Sequence, residues 1–247
     1  MLGVGFDRVD LAAATRIILE RLLHGELTFV ITANPEFVML ARGDEALRQI
    51  AAGAELVVPD GTGVVVASRL LGDPLPGRAP GRFIVDGLAS RAAGLGASFY
   101  LLGAREGVAR RAAHRLQGRH PDLEIVGAEP GDPSPDADDA VVARIAAASP
   151  QILLVAYGMP AQERWIARNL ARLPSVRVAM GVGGVLDQLA GDGVVPPRAV
   201  HAIGFEWLWR LAREPRRWRR QRVLPLFAVL VLAQRARQAV RPSAVAR

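Results

Sequence analysis

"QILLVAYGMPAQERWIARNLARL", residues 151–173, changes character in its middle. The first half is an unbroken apolar run of strand length, Gly158 turns the chain, and from Ala161 onward the pattern is helical, with Gln162 and Glu163 in the first turn. A strand that is apolar at every position, not at alternate ones, is buried on both faces, and that is the mark of a parallel sheet covered by helices.

Working outward, the same alternation recurs about five times. "DLAAATRIILERLL" (10–23) has helical apolar spacing with Asp10 placed to cap, and "TFVITAN" (28–34) follows as a β-branched strand. "PEFVMLARGDEALRQIAAG" (35–53) reads as one helix from Pro35 to Gly53, and "AELVVPDG" (54–61) as a strand with a sharp stop. A Gly-led helix (61–72), a Pro/Gly loop (73–82), a helix (83–96) and a strand (97–104) come next. Then come a helix (106–121), a strand and turn (123–131), a helix (138–150) and, after the opening stretch, "VRVAMGVGG" (176–184) as a last strand. The expected fold is α/β, a Rossmann-like and mostly parallel sheet with helices on both faces. In such sheets ligands sit beyond the carboxyl ends of the strands. Asn34, Asp60, Gly158 and Gly183 all fall at strand ends and should share one rim.

After Gly191 the style changes. "DGVVPPRAV" (192–200) is a loop, and residues 205–240 read as helical with breaks at Pro215 and Pro225. Residues 1–191 are expected to form the core and 196–247 a helical appendage. The formal charge of +7 belongs to that tail: residues 205–247 hold eleven arginines against Glu206 and Glu214. All 31 basic residues are arginine, so only clustering or position makes an arginine informative.

The chain has no cysteine, which excludes disulfides and thiolate chemistry, and its four histidines form no ligand-spaced pair. The N-terminus lacks the basic-then-apolar order of a signal peptide, so a cytoplasmic location is expected. "VLPLFAVLVLAQ" (223–234) is the longest charge-free apolar run of the C-terminal region and falls short of the roughly 20 residues that span a bilayer; it suits lying on a membrane.

Several motifs fail on inspection. "GVGGVLD" (181–187) sits at the last strand and lacks the third spaced glycine of a dinucleotide fingerprint, and a chain without lysine has no P-loop. Asp136 and Asp138 in "SPDADD" have the DxD spacing of metal-binding transferases, yet they precede a helix whose N-terminus favours acids. Three stretches resist such readings. Capping accounts for one of Thr32 and Asn34 but less easily for both. Gln162 and Glu163 follow a strand and a glycine turn. In "FEWLWRLAREPRRWRRQR" (205–222), tryptophans interleave with Arg210, Arg213, Arg216, Arg217, Arg219, Arg220 and Arg222, which suits a packed or membrane interface better than a solvated face.

Together "TANPE" (32–36), "PDGTGVV" (59–65), "YGMPAQERWI" (157–166), "GVGGVLDQLAG" (181–191) and "EWLWRLAREPRR" (206–217) resemble the WecG/TagA/CpsF glycosyltransferases, glycosyltransferase family 26. The resemblance implies inverting, metal-independent transfer of a sugar, often of the N-acetylmannosamine type, from a UDP-sugar to a polyprenyl-diphosphate-linked sugar at the inner face of the cytoplasmic membrane. No cofactor is implied. It also implies Asp60 as the catalytic base, Thr32 and Asn34 beside the reacting sugars, and Gln162 at the substrate; Glu163, next to it in the first helical turn, is a further candidate substrate contact. The appendage would close over the site and bring arginine to the diphosphate; Arg210, Arg216, Arg217, Arg219 and Arg220 match that stretch, and Arg78 follows a Pro-containing loop where the family has an arginine. An anionic inner-leaflet surface is the implied partner, self-association of cores is suggested, and no nucleic acid is expected.

The chain departs from the family pattern at Arg82 and Phe83, where an acid is customary, at Val195 in place of an arginine, and at Gly131, Asp132 and Pro133 in place of an aromatic turn. These changes bear on sugar identity and leave Thr32, Asn34, Asp60 and Gln162 untouched. Competing readings are a transferase for another UDP-hexose or a uronic acid, a nucleotide-dependent oxidoreductase, for which the glycine-rich first turn is missing, and a non-catalytic binder of anionic lipid or nucleic acid through the Arg/Trp tail. The rim residues discriminate, because a tail-only binder has no need of them.

Overall fold

The structure, a computed structural model, describes residues 1–197, 200, 206–213 and 218–240. Six strands, β1 (Thr28–Ala33), β2 (Leu56–Pro59), β3 (Phe99–Gly103), β4 (Ile125–Glu129), β5 (Ile152–Ala156) and β6 (Val178–Gly181), form one sheet in the order β2-β1-β6-β5-β3-β4. Every pairing is parallel, as the all-apolar strands require. Alternate strand residues enter two separate cores. Val30, Val58, Leu101, Leu154 and Met180 join one, and Ile31, Val57, Leu102, Val155 and Ala179 the other.

The first core is covered by α1 (Leu11–Leu23), α5 (Gly81–Ala92), α6 (Val108–Arg119) and α9 (Val185–Ala190). The second is covered by α2 (Pro35–Arg42), α3 (Glu45–Gly53), α4 (Thr62–Leu70), α7 (Asp138–Ala148) and α8 (Ala161–Asn169). In the C-terminal region lie α10 (Glu206–Arg213), α11 (Trp218–Gln221) and α12 (Val223–Val240). Helix α12 packs against α2 and α4, places Phe227 and Val231 in the second core, and accepts the Leu2 amide on Gln234 at 2.9 Å. It is therefore anchored to the fold through Phe227, Val231 and Gln234.

Two sequence expectations need correction. Residues 35–53 form two helices, because Gly43 ends α2 and the Asp44 carboxylate caps α3 by accepting the Leu47 amide at 3.0 Å. Pro225 does not interrupt the last helix: it is the third residue of α12, in the first turn, where a missing N–H removes no intrahelical bond. Pro215 lies outside the described residues. The acidic pair is also settled locally. Asp138 is buried at the start of α7 and held by a bidentate contact from Arg168 of α8, whose guanidinium keeps the carboxyl below the usual range, while Asp136 is exposed. Among the described residues no three His, Asp or Glu side chains gather closely enough to hold a metal ion.

Backbone approach at the sheet centre fixes one glycine. Gly103, at the end of β3, has φ +107°, and a Cβ there would lie 2.7 Å from the Ala156 carbonyl carbon of β5. Gly103→Ala is expected to cost about 2 kcal/mol or more in strain, lowering Tm by about 4 °C or more, read by thermal denaturation.

Candidate active site

The register of β1 and β2 places two of the expected residues together. Ala33 pairs with Pro59, the Asp60 amide donates to the Ala33 carbonyl at 2.9 Å, and the next residues, Asn34 and Asp60, leave the sheet side by side. Asn34 then caps α2, its Oδ1 accepting the Phe37 amide at 2.9 Å. Its carboxamide NH2 has no hydrogen bond to another described residue. Thr32, one turn of the pleat earlier, donates its hydroxyl proton to the Gly181 carbonyl of β6 at 3.3 Å.

Gln162 ties the other half of the rim. Its Oε1 accepts two backbone amides, Gly158 at 3.1 Å and Gly183 at 2.9 Å, and so joins the loop after β5 to the loop after β6. The carboxamide fits there only because residue 181 is glycine: a Cβ at that position would lie 2.6 Å from Gln162 Nε2. The Nε2 group in turn donates to Glu163 Oε1 at 2.8 Å. Gln162 and Glu163 are 2% and 1% exposed, and α8 thus begins with an amide and a carboxyl buried edge to edge.

These residues surround a cavity of about 980 Å³. Thr32, Asn34, Asp60, Arg78 and Gln162 line it, together with Gly158 and Gly183. Glu163 does not line it; it lies behind Gln162, with Oε2 unbonded within the described structure. Arg78 reaches the cavity from the loop before α5 and bonds Glu206 of α10 at 2.8 Å, with Thr62 at 3.4 Å. Of the tail arginines, Arg216 and Arg217 lie outside the described residues, as do the side chains of Arg210 and Arg220; Arg219 is exposed and does not line the cavity. Arg82 and Arg222 do line it, and neither was singled out from the sequence as a ligand. Nor was the opposite wall, made by α4 and α12. The sequence signal for it was present in the charge-free run 223–233, which has more apolar faces than one core contact uses.

Burial pushes the Glu163 carboxyl up to about 7, against the lowering effect of the Gln162 amide. An acid raised in the folded state holds its proton there while the unfolded chain has lost it, so stability falls as pH rises from about 4.5 to about 7 and is level beyond. Glu163→Gln is therefore expected to raise stability relative to wild type by up to about 3 kcal/mol at pH 8 and by little at pH 4, checked by denaturant unfolding at both values.

The comparisons with known proteins agree with this architecture. The family described as "Glycosyl transferase WecG/TagA/CpsF family" matches residues 1–241. A protein of Bacillus spizizenii (strain ATCC 23059 / NRRL B-14472 / W23), named N-acetylglucosaminyldiphosphoundecaprenol N-acetyl-beta-D-mannosaminyltransferase, is 32% identical over 83% of this chain and 78% of its own. A protein of the same name from Staphylococcus aureus (strain MRSA252) is 33% identical over 92% of this chain and 89% of its own. With the match running almost from end to end, the chain belongs to the WecG/TagA/CpsF family of glycosyltransferases.

Proposed function

We propose that this protein transfers an N-acetylmannosamine-type sugar from a UDP-sugar to N-acetylglucosamine carried on a polyprenyl diphosphate, inverting the anomeric centre and using no metal. The observation that carries the reading is the convergence of Asp60, Thr32, Asn34 and Gln162 on one cavity at the carboxyl ends of the strands. The name shared by the relatives supplies the substrate class.

In this reading the acceptor hydroxyl oxygen attacks C1 of the donor sugar. Asp60 takes the hydroxyl proton as that bond forms, and the C1–oxygen bond to UDP breaks on the opposite face. Thr32, whose own proton is directed to Gly181, presents its oxygen to a sugar hydroxyl, and the Asn34 NH2 donates to the substrate. The diphosphate leaves with added negative charge. Helix α4 begins at the cavity with Gly61 as its cap and no capping side chain, so its N-terminus favours an anion there. Arg78 and Arg82 supply full positive charge, and a guanidinium fork suits diphosphate oxygens. Arg78 would exchange Glu206 for the diphosphate. Gln162 acts by holding the Gly158 and Gly183 loops, and Glu163 by holding Gln162.

The enzyme works at the inner leaflet as a peripheral protein. No described helix is long and apolar enough to cross a membrane. Leu226 and Val229 of α12 are exposed, at 50% and 61%, and the surrounding tail is rich in arginine, a combination suited to an anionic surface.

A second reading, a donor with an acidic sugar such as a uronic acid, is favoured by one feature. A smaller cavity of about 400 Å³ shares Arg82, Val185 and Gln188 with the main one and brings Arg115 and Arg119 beside Arg82, with Asp86 as the one acid among the described residues that line it.

Asp60→Asn should lower kcat by about 10²–10⁴-fold, the usual worth of a general base, with donor affinity little changed. The check is turnover of UDP-N-acetylmannosamine with a lipid-diphosphate N-acetylglucosamine acceptor in the presence of a chelator, with NMR of the product anomer. Retained configuration, or full activity in the variant, would overturn the mechanism.

A further inference from the structure

The cavity has two chemically different walls. One is the polar rim of Thr32, Asn34, Asp60 and Gln162; the other is apolar and runs between α4 and α12. Val66 and Leu70, one turn apart on α4, line the cavity together with Leu224, Ala228 and Leu232, at one-turn intervals on α12. Helical geometry divides the charge-free segment 223–233 among three faces. Phe227 and Val231 are buried in the core and edge the cavity, Leu224, Ala228 and Leu232 line it beside them, and Leu226 and Val229 point outward. The groove side is unusually wet for apolar residues: Val66, Leu70 and Leu232 are 46%, 47% and 57% exposed.

We infer that this groove binds the first isoprene units of the acceptor's own lipid, so that the polyprenyl chain is a recognised part of the substrate and not merely its anchor. The inference rests on the proposed transferase reading. Three features select this occupant. The groove is continuous with the polar rim, so whatever fills it carries a polar head at Asp60 and an apolar tail between α4 and α12. Arg222, which lines the cavity just before α12, would meet the acceptor's own diphosphate where polar wall gives way to apolar wall, which is the order of groups along a polyprenyl diphosphate. The lining residues of α12 also adjoin its outward apolar residues Leu226 and Val229, the face suited to a membrane, so the groove and that surface share one helix.

The test uses the full chain without vesicles, so that membrane docking contributes nothing, and compares two soluble acceptors: N-acetylglucosamine diphosphate bearing a methyl group or a farnesyl chain. Wild type is expected to show a kcat/KM at least about 100-fold higher for the farnesyl acceptor, since each buried methylene is worth about fourfold. In Ala228→Trp, which fills the groove, and in Leu232→Ser, at an exposed position that the fold does not need, that preference should shrink to about 10-fold or less, with the loss in acceptor KM. Equal use of the two acceptors by wild type, or an undiminished preference in both variants, would overturn the groove while leaving the transferase reading intact. Transfer to neither acceptor would overturn the transferase reading and the groove with it.

Discussion

The rim depends on one carboxamide. Gln162 is buried where the sheet ends, and its Oε1 gathers the Gly158 and Gly183 amides, two half-buried donors in different loops. Those two donors decide which way round the amide sits, since reversing it would set Nε2 against two N–H groups and lose both bonds. In the observed orientation Nε2 also donates to Glu163 Oε1. The loops after β5 and β6, which both line the cavity, are thus joined by the Gln162 carboxamide, itself held by its neighbour at the start of α8.

On the other side of the cavity the geometry comes from strand register. Parallel pairing of Ala33 with Pro59 brings Asn34 and Asp60 out of the sheet at one level, and each precedes a helix. The third wall is supplied by the end of the chain. Because α12 is seated in the core by Phe227 and Val231, its neighbouring residues form part of the cavity as firmly as the sheet does. Arg78 and Glu206 add an ion pair between the core and α10, both side chains being about four-fifths buried. The site is therefore a composite of sheet rim, α4 and C-terminal helices, with the polar rim at the strand ends and the apolar wall from α4 and α12.

Much of this was legible in the residues. Apolar strands with no alternation dictate parallel pairing, and the turns at Asn34, Asp60, Gly158 and Gly183 dictate a shared rim. What was not legible depended on partners distant in sequence or on the position of a residue within its turn. Residues 35–53 have apolar spacing that continues through Gly43, and only the Asp44 cap reveals the break. Pro225 looks like a breaker until the helix start at Val223 puts it in the first turn. Glu163 was grouped with Gln162 as a substrate contact because adjacent polar residues in a first turn look alike; a rotation of about 100° per residue sends one to the cavity and the other behind it. The Glu206 partner of Arg78 has no sequence signal, since nothing in either neighbourhood specifies a contact 128 residues apart.

The most direct measurement is UDP release from a panel of UDP-sugars, each with and without a polyprenyl-diphosphate N-acetylglucosamine acceptor and anionic vesicles. Acceptor-dependent release from UDP-N-acetylmannosamine, or from one acidic UDP-sugar if the Arg82 cavity reads the donor, is the result this account predicts. Absence of acceptor-dependent release from every donor, by folded protein that still binds the vesicles, would contradict it.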